Sequence, residues 1–123
     1  ASCPPPPSAE NIVAITGPRQ IMPLFLSTGE LDGGEQSLVA DTGRGLVVVS
    51  GCAHPGVENI LQAAAGFGRV TALVGGLHGF REFDLLRDLA LICPCHCTQH
   101  IAAIRQQYPD SCVAGGAGKV LEL

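Results

Sequence analysis

Three times the chain repeats one short phrase: an apolar, largely β-branched run, then small or turn-forming residues, then a histidine. The copies are LVVVSGCAH (46–54), VTALVGGLH (70–78) and LALICPCH (89–96). An apolar run of that length reads as a buried strand, and its histidine then falls just past the strand's carboxyl end. The segments between copies are long enough for a helix and carry helical spacing. The three strands are therefore expected as parallel neighbours, with His54, His78 and His96 on one edge of a sheet. In open α/β sheets that edge is where ligands bind.

The intervening segments support this order. Val57, Ile60, Leu61 and Ala64 recur at helical spacing, with Pro55 at the expected first helical position and Gly66 and Gly68 closing the helix. Phe80, Phe83 and Leu86, separated by charged residues, predict a short amphipathic helix over 80–88. Pro94 is expected to stop the third strand at Cys93, and Thr98 to cap a helix that reaches Tyr108. Ser37–Asp41 and Leu46–Ser50, around the Thr42–Gly45 turn, predict an antiparallel hairpin. Asn11–Thr16 is expected as an edge strand, and Cys112–Ala114 with Lys119–Leu123 as a closing pair of strands. The Gly-rich, acidic stretch before Gln36 reads as irregular loop. Residues 1–10 form a Pro-rich, extended lead-in, which leaves 11–123 as a single α/β domain.

Composition narrows the function classes. A net charge of −4 with no basic run argues against nucleic acid or an acidic membrane surface as partner. No apolar stretch approaches the roughly 18 residues of a membrane span, and no signal peptide is visible, so a cytoplasmic location is expected. Without a secretory signal the six cysteines read as reduced thiols, and Cys93, Cys95 and Cys97 alternate too closely to bridge one another. No phosphate-cradling glycine pattern or nucleophile elbow is present.

A lone histidine is more often a hydrogen-bonded core or surface residue than a ligand. Three at equivalent positions point to a shared metal site instead, because zinc or iron needs several N, O or S donors converging on one point. His54, His78 and His96 are the candidate ligands. His100 is expected at the surface and Cys93 in the core. Cys52 reads as a small buried thiol rather than a ligand, while Cys95 and Cys97 fit either zinc binding or tight packing in a turn.

The strings GLVVVSGCAHPG (45–56), GGLH (75–78) and PCHCT (94–98), in that order, resemble the C-terminal half of metallo-β-lactamase-fold hydrolases, in the dihydropterin aminobenzene-phosphate synthase-like branch. The resemblance runs from about Gln36 to Leu123. It implies an α/β chain forming half of an αββα sandwich, a mixed sheet flanked by helices, with one or two zinc-type ions and a metal-bound hydroxide. By this resemblance His96 corresponds to the family's final metal ligand, His54 lies in a ligand-bearing segment, and His78 is a family signature. The family's His-x-His-x-Asp-His motif does not occur here, and Gln99 stands where a glycine is common. A lone half-sandwich leaves an apolar sheet face to be covered, by an N-terminal half-domain chain or by a second copy.

The leading expectation is thus the C-terminal portion of a zinc-dependent hydrolase acting on a small ester or phosphoester, its active site incomplete in this chain alone. A catalytically silent half-domain serving assembly or binding is the alternative. A third reading is a thiol and imidazole metal-binding or redox protein built on Cys95, Cys97 and His96.

Overall fold

The computed structural model describes residues 4–123. Six strands form one sheet in sequential order: β1 (Arg19–Met22), β2 (Phe25–Ser27), β3 (Leu38–Asp41), β4 (Leu46–Ser50), β5 (Val70–Gly76) and β6 (Leu91–Cys95). The first four pair antiparallel as a meander, whereas β4, β5 and β6 are parallel. Parallel pairing requires crossovers. Helix α1 (Val57–Ala65) supplies one, and a short 3-10 helix (Phe83–Leu86) lies in the other. Helix α2 (Ile101–Gln107) follows β6. The expected hairpin, the helix after His54 and the parallel triplet are all present, as a mixed α/β sheet.

Alternation along β4 separates the two faces. Leu26, Val39, Val48, Leu73 and Ile92 lie in one row across five strands. That row packs in the core with Val57, Ile60 and Ala64 of α1, Leu86 and Ile104. Both helices therefore cover one face. The opposite face carries the rows Phe25, Ala40, Val47, Ala72, Leu91 and Ser27, Leu38, Val49, Val74, Cys93. No helix lies over it among the described residues, and Leu38 and Val49 remain 37% and 39% exposed.

Several boundaries differ from the sequence reading. Strand β6 runs through Pro94 to Cys95 instead of stopping at Cys93. The backbone of Ile92 bonds outward to Ser111 and Val113, and Pro94, two residues on, presents its nitrogen to that same outer edge, where no donor is needed. The expected Cys112–Leu123 strand pair is reduced to one bridge between Cys112 and Ile92, and 119–123 is irregular. Asn11–Thr16 is not a strand. The sheet instead extends through β1 and β2, joined at Pro23 and Leu24, with Leu24 at φ 68°. The amphipathic segment 80–88 contracts to the 3-10 turn. Pro55 precedes the first helix instead of opening it, because Gly56, at φ 94°, is the residue before the first helical turn. The lead-in forms an exposed turn at Pro6–Ala9, and residues 1–3 lie outside the described residues.

Candidate metal centre

The parallel strands end at Ser50, Gly76 and Cys95, so the loops bearing His54, His78 and His96 leave the same edge of the sheet. The first two strand ends approach closely. Ser50 Oγ donates to the Gly76 carbonyl at 2.7 Å, and Gly76 N–H donates to the Gly51 carbonyl at 3.1 Å. A side chain at Gly75 or Gly76 would collide with the backbone of Ser50 or Gly51, which explains the paired glycines.

The loops after β5 and β6 are tied to each other. Thr98, 8% exposed, accepts a hydrogen bond from Leu77 N–H at 2.9 Å and donates to the Cys95 carbonyl at 2.8 Å. Gln99 N–H donates to the His78 carbonyl at 2.9 Å. Thr98 was expected to cap α2, but its hydroxyl is committed to this tie, and His100 is the residue preceding the helix, without a side-chain cap. Ala53, His78 and His96 all adopt left-handed backbone conformations, at φ 57°, 46° and 53°. Such conformations are costly for non-glycine residues and cluster at functional sites.

The three histidines share the edge but not a single point. The rings of His54 and His78 meet edge to face, with centroids 4.9 Å apart. His96 keeps different company: its ring nitrogen and the sulfurs of Cys52 and Cys97 all lie within 4.8 Å of one another. A second group, Glu35, Cys52 and His54, meets the same limit and shares Cys52 with the first. His54 is gripped by Glu35, whose carboxylate accepts from the backbone N–H at 3.3 Å and pairs with ring Nδ1. Glu35 reaches this position because the 29–36 loop is stapled at its base. Thr28 Oγ1 accepts from Ser37 N–H at 2.9 Å, and Leu31 N–H donates to the Glu35 carbonyl at 2.8 Å.

The sequence reading missed Glu35 and ranked Cys52 as packing. Nothing in the spacing marks Glu35, since it reaches His54 only through the fold. Cys52 could have been found from its place two residues before His54. His100, expected at the surface, is partly buried, with Nε2 shielded and without a hydrogen-bond partner and its ring edge-on to Phe83. Cys93 is core, as expected.

The donor set suits a thiophilic cation. Zinc bonds of about 2.0 to 2.3 Å separate tetrahedral donors by roughly 3.3 to 3.8 Å, so Cys52, His96 and Cys97 would close on an ion with small rotations. Two thiols and one imidazole form a soft set that favours zinc-like metals over magnesium or calcium. Three protein ligands leave a fourth position open. A hydrogen bond with Cys97 and, after it, burial hold the Cys52 thiol above its ordinary range, so cation binding there releases a proton. Beside the edge, His54, His78, Asn59 and Phe80 line a cavity of ≈ 420 Å³.

The fold recurs in a solved structure. Over 92% of this chain and 57% of the other, it superposes with a TM-score of 0.70 and 26% identity on Tm1679, described as a metal-dependent hydrolase of the β-lactamase superfamily. The chain shares the fold of a β-lactamase-superfamily hydrolase. It is also 28% identical over 103 residues to the 7,8-dihydropterin-6-methyl-4-(β-D-ribofuranosyl)-aminobenzene-5'-phosphate synthase of Methanocaldococcus jannaschii, covering 72% of this chain and 35% of that protein. No family model matches the chain. Both similarities agree with the resemblance carried by the three motifs. The chain spans just over half of the solved structure and about a third of the curated relative. Among the described residues no helix is long and apolar enough to cross a membrane.

Proposed function

We propose that this chain is the C-terminal portion of a zinc-dependent hydrolase acting on an ester or phosphoester. The observation that carries the reading is the convergence of Cys52, His96 and Cys97 within 4.8 Å on the ligand-binding edge of a β-lactamase-superfamily fold. Cys52, His96 and Cys97 would hold the ion, which when bound would supply an activated water at neutral pH and Lewis-acid polarisation of an ester or phosphoester. Cys52 belongs to both donor groups and so links the edge at His96 to the edge at His54. Glu35 fixes the ring of His54, which together with His78 borders the ≈ 420 Å³ cavity that we assign to the substrate. The Thr98 tie holds the loops of His78 and His96 in register.

The sheet face without a helix, where Leu38 and Val49 stay more than a third exposed, supports a need for a covering layer. We assign that layer to an N-terminal half-domain rather than to a second copy, because the solved neighbour is larger than this chain by about the share such a half would supply. Titration of the reduced chain with cobalt(II) tests the site: thiolate ligation gives an intense near-ultraviolet band, reduced in Cys52→Ser and in Cys97→Ser, each of which keeps one thiolate, and absent from the double variant, while His96→Ala binds cobalt more weakly. No metal uptake, by this chain alone or with an N-terminal half supplied, would sink the reading.

A further inference from the structure

We propose that Cys52 and Cys97 form a reversible disulfide site at the edge of the sheet, and that this bridge and a bound cation exclude one another. Exclusion depends on the donor role given to both thiols above; bridging depends only on their own placement. The two sulfurs lie within 4.8 Å of each other, and Cys97 Sγ is 3.8 Å from the Cys52 carbonyl oxygen. They meet over the bare Cα of Gly76, where an added Cβ would lie 2.8 Å from Cys97 Sγ and 3.3 Å from Cys52 Cα. That missing side chain is what lets the thiols approach. Both residues sit in loops past strand ends, so side-chain rotation can bring the sulfurs to bonding distance without disturbing the sheet.

The remaining described thiols are placed differently. Cys93 and Cys112 are buried, and Cys95 turns toward Gly115. Cys52 and Cys97 are each partly exposed, within reach of a small oxidant. With a small organic disulfide as that oxidant, the Cys97 thiolate attacks one of its sulfurs. The reagent's S–S bond breaks, a mixed disulfide forms, and a small thiolate leaves and takes up the proton that Cys97 lost. Cys52 then gives up its proton and attacks Cys97 Sγ. The intramolecular S–S bond forms, and the second small thiolate leaves and takes that proton. Two electrons pass from the protein thiols to the reagent, which becomes two thiols. The bridged pair has lost both thiolate donors, so His96 alone remains of the first donor group.

The test is incubation of the full chain with oxidised glutathione, followed by alkylation and peptide mapping by mass spectrometry. The expected product is lighter by two hydrogens, with the Cys52 peptide linked to the Cys97 peptide. Zinc added beforehand should slow bridging at least about tenfold. The bridged chain should bind zinc more weakly by more than the roughly 10- to 100-fold that loss of an outer-shell partner costs, with full recovery after dithiothreitol. Cys95→Ser should bridge at the wild-type rate and Cys97→Ser should not bridge. Wild-type Cys52 and Cys97 that stay alkylatable, or that pair with other cysteines, would overturn the disulfide. A bridged chain that takes up zinc as well as the reduced one would overturn exclusion. If the reduced chain binds no zinc while the bridge forms, the donor reading fails and the disulfide stands.

Discussion

Replacing Thr98 with valine isolates the tie between the two loops that carry His78 and His96. The substitution keeps the shape of the side chain and removes its hydroxyl, which accepts from Leu77 N–H at 2.9 Å and donates to the Cys95 carbonyl at 2.8 Å. The Cys95 carbonyl keeps the Thr98 backbone N–H at 3.1 Å as a donor. Leu77, 1% exposed, has no such reserve. Its stranded N–H sets the cost, about 1 to 3 kcal/mol for a buried unsatisfied donor. At roughly 3 to 6 °C per kcal/mol for a chain of this size, a mid-range loss of about 2 kcal/mol lowers the melting temperature by about 6 to 12 °C. Thr98→Ser retains the hydroxyl and loses one methyl, for about 0.8 kcal/mol. Urea unfolding followed by circular dichroism separates the two variants, and cobalt titration reads the effect on the site. A Thr98→Val chain within about 0.5 kcal/mol of wild type, or no less stable than Thr98→Ser, would refute the assignment of this hydroxyl as the Leu77 partner.

Ile60, 1% exposed in the single core under α1, should cost about 2 to 5 kcal/mol when cut to alanine, read as a lower urea midpoint. Burial holds the Cys93 and Cys112 thiols above their ordinary value of 9.0. The contribution of these neutral thiols is therefore fully present below about pH 9 and falls as pH rises through the raised folded values, because the unfolded chain releases its protons first. Urea midpoints should decline as pH rises above about 9, less steeply in Cys112→Ala; equal slopes would contradict the burial account. Glu35→Gln keeps the size of the side chain but removes the charge paired with His54, and should leave cobalt uptake by Cys52, His96 and Cys97 at unchanged stoichiometry; a lost equivalent in cobalt titration would place Glu35 among the ligands instead.

The parallel half of the fold was legible because its strands are buried on at least one face by continuous apolar runs. Leu46–Ser50, Val70–Gly76 and the 57–65 helix announce themselves by period. The antiparallel extension was not legible, since Arg19–Met22 is exposed along its whole length and Phe25–Ser27 is three residues long, too little for any pattern to show. Pro94 misled because its ring bars a strand only where a donor is needed, and an outer edge needs none. At the site, the shared edge of His54, His78 and His96 followed from strand order alone. Which atoms meet there did not: Cys97 joins His96 through a left-handed turn, and Glu35 joins His54 from a loop 19 residues earlier.

Cys52 and Cys97 are 45 positions apart and touch only across β4, β5 and β6 in their correct alignment. Sliding β6 by one residue would turn Cys97 toward the opposite side of the sheet and separate the pair. The two sulfurs thereby act as a built-in gauge of strand register, and a cross-link between them certifies that the last strand has docked in place.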